Sequence, residues 1–457
     1  MSESHDLIIS AYSRTIDEIS NFPDDWKRII LLPSTYMKGR IGWQGLKASE
    51  FIQAGPFLIT GTDFNNGGIN WDTCYHISLQ RFNEAPLIHI KNDDVLITKD
   101  GTIGKVAFVT KCPEKAILNS GVLVLRCKDG SYDHQYLYYI LNSVYFEKFI
   151  SIALGGSTIN HLYQRVFEQF EFPAPTSLPE QRKIVRILST VDAVIEKTEA
   201  AIAKYKAIKA GMMCDLFTRG IDDATGKLRP SYEEAPELYR ESELGLVPKE
   251  WEVVRIEEVS TLVTNGFVGV ATPYYETSDN GVKYLYGTNI RKNEITFDDI
   301  RYVNRLFHNK QAKSQLRIGD MLTVQSGHIG TSAVVPDNLG DANCHALIIT
   351  RFVLSEIYPW FVSYYLNSDM GMQGLEKLFI GSTIKHINTS ELAKHLILKP
   401  QIEEQKAISK RIDSTEFLLR NDFQNLSKMQ NLKQALMSEL LTGKVRVKYD
   451  KEKMEAM

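Results

Sequence analysis

No run of apolar residues in this 457-residue chain reaches the roughly 20 residues that a bilayer-spanning helix needs. The opening stretch, MSESHDLIIS, lacks the basic region and long apolar core of a signal peptide, so the expected compartment is the cytoplasm. An excess of either charge is also lacking: 53 Lys and Arg against 56 Asp and Glu give a formal net charge of -3. A chain so balanced holds nucleic acid only through local basic loops, or with partners that supply the other phosphate contacts. Cysteine is sparse. Cys74, Cys112, Cys127, Cys214 and Cys344 form no CxxC pair, and none recurs at an equivalent place in the duplication described below. They are expected to be reduced and packed rather than metal-bound.

Catalytic signatures are missing too. There is no HExxH, no GxSxG and no Rossmann glycine fingerprint after a strand. The stretch from Gly220 to Lys227 has the wrong spacing for a phosphate loop, and Leu228 stands where Ser or Thr is needed. The Asn-Pro-Pro-aromatic tetrapeptide of adenine methyltransferases is absent. The expectation is a protein without catalytic residues, metal ligands or a cofactor of its own.

What is present is a duplication. FPDDWK (22–27) returns as VPKEWE (247–252), so that Pro23 and Trp26 match Pro248 and Trp251. ITGTDF (59–64) returns as LYGTNI (285–290), and DVLITKDGTIGKV (94–106) as DMLTVQSGHIGTS (320–332). GGSTINHL (155–162) matches IGSTIKHI (380–387), and PEQRKI (179–184) matches EEQKAI (403–408). The offset stays between 224 and 226 throughout, which marks one unit of about half the chain repeated. The Pro–Trp pairs read as turns anchored to a core. The DVLIT and DMLTV stretches read as a buried strand, a Gly turn and a second strand.

Each unit ends in a long amphipathic stretch. Ile184, Leu188, Val191, Ile195, Ile202, Tyr205, Met212 and Leu216 step by fours and threes, with Thr198 and Lys209 in the same seam. The pattern recurs 224 residues later at Ile408, Ile412, Leu419, Leu426, Met429, Leu436 and Leu440, with Thr415, Asp422 and Lys433 between them. This is a heptad seam, and equal length and phase make the two helices mutual partners. Ser177 and Glu180 have capping-box spacing, and Gly220 and Gly443 stand where the helices would stop. Each helix is then roughly 55 Å long. The alternative is two surface helices packed separately on two cores.

The predicted fold is α+β: two duplicated domains of mixed β-sheet with helices, joined by a long antiparallel two-helix coiled coil with pseudo-two-fold character. The expected boundaries are a helical segment at 1–20, where Ile8, Tyr12 and Ile19 share a face, then a first domain at 21–176 and a spacer helix at 177–220. A surface linker at 221–247, a second domain at 248–400, a second spacer helix at 401–445 and a frayed tail at 446–457 complete the chain.

The two copies differ in their loops. Gly101 and Gly104 return as Gly327 and Gly330, but Lys99, Asp100 and Thr102 become Gln325, Ser326 and His328. Such side chains read base edges or grip phosphates; a polar hairpin tip without a ligand would carry the same residues. Lys105 adjoins the first tip, and Arg291 and Lys292 follow the second GTN segment. The GST segments share Ser157 and Ser382, Thr158 and Thr383, and His161 and His386, with Lys385 beside the last. These suit phosphate binding or the capping of a following helix. TYMKGRIGWQGLK (35–47) gathers Lys38, Arg40, Trp43 and Gln44, and NGFVGVATPYYE (265–276) is taken as its counterpart. Cations among aromatics and amides suit nucleic acid and ordinary turns alike.

Order, repetition and offset together resemble the specificity subunit of a type I restriction–modification enzyme, over nearly the whole chain. The carriers are the Pro–Trp openings, the DVLITKDGTIG and DMLTVQSGHIG turns, the GSTI segments and the EQ-headed helices at Gln181 and Gln405. The resemblance implies two target recognition domains, each reading half of a split DNA sequence, and a coiled coil that fixes the gap. It implies two adenine methyltransferase subunits docked on the chain, which carry S-adenosylmethionine, and restriction subunits, up to two, that use ATP and Mg. Two rivals stand beside it. A single-chain methyltransferase or nuclease would transfer a methyl group or cut DNA alone, and a coiled-coil scaffold would bind no duplex even with methyltransferase present.

Overall fold

The computed structural model describes residues 12, 16, 22–40, 45–154, 161–379 and 385–448. The chain divides into two compact units. Unit 1 takes residues 1–199 together with 424–457, and unit 2 takes the continuous stretch 200–423. The boundary falls inside both long helices, Leu178–Thr218 and Ile402–Leu440, so each unit owns half of each helix.

Both units have one plan. Unit 1 carries an antiparallel sheet ordered Thr35–Gly39, Val122–Cys127, Val95–Thr98, Val106–Phe108. Val95–Thr98 is buried at every position, which is why it reads as a continuous apolar run rather than an alternating one. Unit 2 repeats the order with Ser260–Asn265, Leu347–Phe352, Met321–Val324 and Ser332–Val334. Under each sheet an arginine reaches a fully buried aspartate in two-pronged fashion: Arg126 to Asp94 in unit 1, and Arg351 to Asp320 in unit 2. A three-stranded sheet places Ile52–Ile59 between antiparallel Tyr75–His76 and parallel Ala116–Leu118. Its copy places Val282–Leu285 between Arg301–Val303 and Ala342–Cys344.

The Pro–Trp turns form as expected. Trp26 and Trp251 donate their backbone N–H to Pro23 and Pro248 at 2.9 and 3.0 Å, and both indoles are buried. Tyr12 and Ile16 are helical and buried; Ile8, Ile19 and the rest of the expected segment at 1–20 lie outside the described residues.

The helix pairing is antiparallel within each unit. In unit 1 Ile184 and Leu188 share a core with Met437 and Leu440, and Lys433 Nζ lies 2.6 Å from Asp192. In unit 2 Leu216 shares a core with Ile408 and Ile412, Lys209 pairs with Glu416, and Lys206 lies 5.0 Å over the Phe423 ring. Every expected seam position is buried or half-buried, Val191, Ile195, Ile202, Tyr205, Met212, Leu419, Leu426, Met429 and Leu436 among them. The two seam lysines therefore have a reason: each meets an acid at the position equivalent to the acid of the other pair. A polar residue in a seam fixes register at some cost in stability.

The helix heads are where each spacer is joined to its unit. Gln181 and Gln405 are fully buried. Gln181 accepts from Asp133 N at 2.8 Å and donates to the Pro175 and Ser131 carbonyls; Gln405 accepts from Tyr358 N at 2.8 Å and donates to those of Pro400 and Glu356. The preceding acids are also taken. Glu180 receives Arg446 at 2.9 and 3.0 Å. Glu404 receives Arg229, Trp251 Nε1 at 3.0 Å and Ile221 N at 2.7 Å.

Two expectations are corrected. The segment 221–247 is not a surface linker: it forms the hairpin Tyr239–Ser242 with Gly245–Pro248 and buries Arg229, Tyr239 and Val247. Its polar composition misleads because Arg229 finds its carboxylate 175 residues away. Of the cysteines, all free, Cys74 and Cys344 are buried but Cys214 is exposed, because it falls off the helix seam. Among the described residues no helix is long and apolar enough to cross a membrane.

Replacing Gln405 by Ala leaves a buried N–H and two carbonyls without their partner, at a cost of about 1–3 kcal/mol. Lys433→Ala removes a pair whose side chains are 27% and 31% exposed and is expected to cost under ~1 kcal/mol. Urea denaturation of both variants checks the order; equal losses would refute the role given to Gln405.

Candidate nucleic-acid interface

The loops that differ in sequence are built on one backbone plan. Val95–Thr98 runs into a turn closed by Gly101 and Gly104, with φ of 71° and 80°. Met321–Val324 does the same through Gly327 and Gly330, with φ of 85° and 81°. These left-handed conformations are why glycine stands there. Gly104 N donates to Thr98 O and Gly330 N to Val324 O, both at 2.9 Å. In unit 1 the Thr98 hydroxyl also binds Lys105 N and Thr102 O, whereas Val324 has no hydroxyl to offer.

A second segment lies against each turn. Leu162 N donates to Lys99 O at 2.9 Å, and Ile387 N donates to Gln325 O at 3.1 Å. One bridge therefore joins Asp100 to His161, and its counterpart joins Ser326 to His386. The structure thus brings together, twice, two loops that sequence reading singled out separately. The side chains differ on this common frame. In unit 1 the His161 imidazole meets the Asp100 carboxylate. In unit 2 Gln325 Nε2 donates to Asn265 Oδ1 at 2.7 Å, and His328 Nε2 lies 3.1 Å from Ile290 O.

The candidates fall out as follows. Asp100, Thr102, Lys105, Ser326, His328 and Lys385 are exposed at the turns, and Lys99, His161, Gln325 and His386 are partly buried beside them. Lys105 Nζ is 2.6 Å from Phe64 O. Arg291 is exposed and joins the group, because His328 is bonded to the residue before it. Lys292 is exposed but lines a recess of about 290 Å³ with Asp413, Glu416 and Arg420 of the spacer helix, away from the turn. Lys38 is exposed on the edge strand. Arg40 is not available to a ligand: it is 4% exposed and its Nε donates to Leu118 O at 2.9 Å. Burial and nearby Arg81 hold its guanidinium pKa below the usual value. Trp43, Gln44, Ser157, Thr158, Ser382 and Thr383 lie outside the described residues.

The expected counterpart of 35–47 is corrected by four residues. Gly39 faces Leu123 and Asn265 faces Ile348, so Asn265 matches Gly39 rather than Thr35. The match of Gly39 to Asn265 keeps the offset of 226 seen in the other repeated segments, and the one-residue bulge between Ser260 and Leu262 lies upstream of it.

One further cluster leaves no motif in the sequence. Arg301 Nη1 donates to Tyr275 OH at 2.8 Å, and its guanidinium lies 5.3 and 5.1 Å from the ring centres of Tyr275 and Tyr286. The two hydroxyls are 2.7 Å apart, and His345 packs on Tyr286 at 4.9 Å. Burial pushes the Tyr286 hydroxyl up to about 12. Burial and then Arg301 lower the His345 pKa, which disfavours its charged form. These four residues are scattered over the second unit and form no motif. Among the described residues no group of three or more His, Cys, Asp or Glu comes together to hold a metal ion.

The model of one family, described as the type I restriction modification DNA specificity domain, matches this chain twice, over residues 42–205 and 248–426. The MjaVIII specificity subunit of a type I restriction enzyme from Methanocaldococcus jannaschii is 30% identical over 366 residues, 79% of this chain and 81% of that protein. The EcoBI specificity subunit from Escherichia coli is 22% identical, over 79% and 75% of the two chains. Among solved structures, the type I restriction–modification S subunit from M. genitalium aligns with a TM-score of 0.58 at 15% identity, over 92% and 96%. That last likeness bears on the fold.

A Cβ at Gly330 would lie 3.1 Å from Leu375 and 3.4 Å from Met372, whereas one at Gly327 meets nothing within 4 Å. Both substitutions to Ala carry the left-handed penalty of about 1–2 kcal/mol. Thermal melting is expected to rank Gly330→Ala as the more damaging; the reverse order would contradict the packing described.

Proposed function

The chain belongs to the family of type I restriction modification DNA specificity domains, and from that premise we propose how its two units divide the target. Its role is recognition of DNA rather than catalysis. Unit 1 reads one half of a bipartite sequence with the turn at Lys99–Lys105 and His161. Unit 2 reads the other half with Gln325, Ser326, His328, Lys385, His386 and Arg291. The observation that carries this reading is the twice-built bridge, Asp100 to His161 and Ser326 to His386, which gives one frame with two sets of side chains. Turn glycines let neighbouring side chains project, and Lys, Gln, Ser and His suit phosphate and base-edge contacts.

The antiparallel helices act as the spacer between half-sites, and two methyltransferase subunits dock on the chain. Restriction subunits, up to two, join the same assembly. S-adenosylmethionine belongs to the methyltransferase partner, and ATP with Mg to the restriction partner. The base to be methylated leaves the stack in that partner, and the units of this chain hold the duplex. The cytoplasm is the compartment this work requires.

Lys99→Ala is expected to weaken binding through one half-site only, by about 1–3 kcal/mol if the contact is to a base. Affinities of the methyltransferase complex for duplexes altered in either half measure this; an equal loss for both halves, or no loss, would refute the assignment.

Four residues inserted after Ala203, an exposed helix position, add about 6 Å to one helix and shift the Lys209–Glu416 register. Mapping methylated adenines across a genome is expected to show an altered gap or none at all. An unchanged bipartite site at unchanged affinity would remove the spacer role.

A further inference from the structure

The duplication places a control inside the molecule. A side chain kept in both units serves the common frame, and one that differs at the same place can tell the units apart. The edge strand of the three-stranded sheet is such a place. In unit 1 it is Tyr75–His76, where Tyr75, 51% exposed, stacks on Phe51 with ring centres 4.6 Å apart. In unit 2 it is Arg301–Val303, and it opens on an exposed arginine.

Arg301 is held but not neutralised. Tyr275 and Tyr286 flank its guanidinium and Tyr275 OH takes one N–H. Among the described residues it has no carboxylate partner, whereas Arg305, Arg351 and Arg420 pair with Asp341, Asp320 and Glu294. A guanidinium fixed by aromatic faces has already lost most of its rotamer freedom, so little more is lost when a ligand binds its remaining donors.

Its surroundings tie it to the reading loop. Tyr286 begins a short turn whose next residue, Gly287, packs on Val324, with 3.4 Å from an added Cβ to Val324 Cγ1. Val324 is the last strand residue before the loop. The far end of that turn, Ile290, takes His328 from the same loop. His345, packed on Tyr286, lies two residues before Leu347, which pairs with Val324.

Resting on the reading proposed above, we propose that Arg301 is a specificity-determining residue of unit 2. It donates to the N7 and O6 acceptors of a guanine in the half-site which that unit serves. Paired donors on a fixed plane match that base edge. A phosphate contact, which positions without selecting, and a purely structural stack are the competing roles.

The test uses the full chain co-expressed with its methyltransferase partner, with methylated adenines mapped genome-wide. For Arg301→Ala the expected result is relaxed preference at a G·C pair of one half-site, by about 5- to 150-fold in discrimination. The other half and the gap stay as in the wild type. Arg301→Lys keeps the charge and is expected to relax the same position. A uniform loss of affinity over all sequences, with the salt slope lowered by about one unit, assigns a phosphate and overturns the proposal. Unchanged selectivity in both variants, with thermal melting confirming that they fold, overturns it as well and leaves the wider reading intact. A wild-type complex that selects no bipartite sequence overturns both.

Discussion

Two buried amides, Gln181 and Gln405, decide where each spacer helix leaves its unit. Each satisfies one backbone N–H and two carbonyls from segments that precede the helix. A buried backbone group without a partner is costly, so these side chains bind helix and domain into one piece. The glutamates before them do the complementary work. Glu180 and Glu404 hold arginines that lie just beyond the ends of the arriving helices, Arg446 after Ile402–Leu440 and Arg229 after Leu178–Thr218. The departure of one helix and the arrival of the other are thus settled by a single dipeptide in each unit.

From that junction the remaining order follows. The helices meet through a mostly apolar seam that carries one lysine per copy, and each lysine has an acid waiting on the opposite helix. Gly220 and Gly443 end the helices with φ of 66° and 72°. An added Cβ at Gly443 would strike Pro23, and one at Gly220 would strike Glu404 and Trp251. Helix end, Trp anchor and helix head therefore form one packed knot in each unit. The sheet that carries the variable turn packs into the same core.

Much of this was legible in the sequence because the signals are local or periodic. A heptad seam, a Pro–Trp turn and paired glycines can be read from residues close in the chain, and the duplication let each be checked against its copy. What escaped depends on distant partners. The polar stretch 221–247 looks like a linker until Arg229 is seen beside Glu404. Arg40 looks like a free cation until Leu118 O is found against it. The partner of Gly39 is found at Asn265 only when the strand pairings with Leu123 and Ile348 are compared. The Arg301 cluster draws on four separate segments whose residues acquire meaning only when folded.

The division of the chain also bears on the order in which it folds during synthesis. Unit 2 is one continuous stretch, 200–423, so all of its segments are made before the last segment of unit 1 begins at residue 424. Unit 1 starts first but ends last. Its core includes Met437 and Leu440, and its Glu180 waits for Arg446. Until those late residues emerge, the apolar face around Ile184 and Leu188 has no helical partner, and such exposed surface is where nascent chains aggregate. Unit 1 therefore completes its core after unit 2, although its first segments are made earlier.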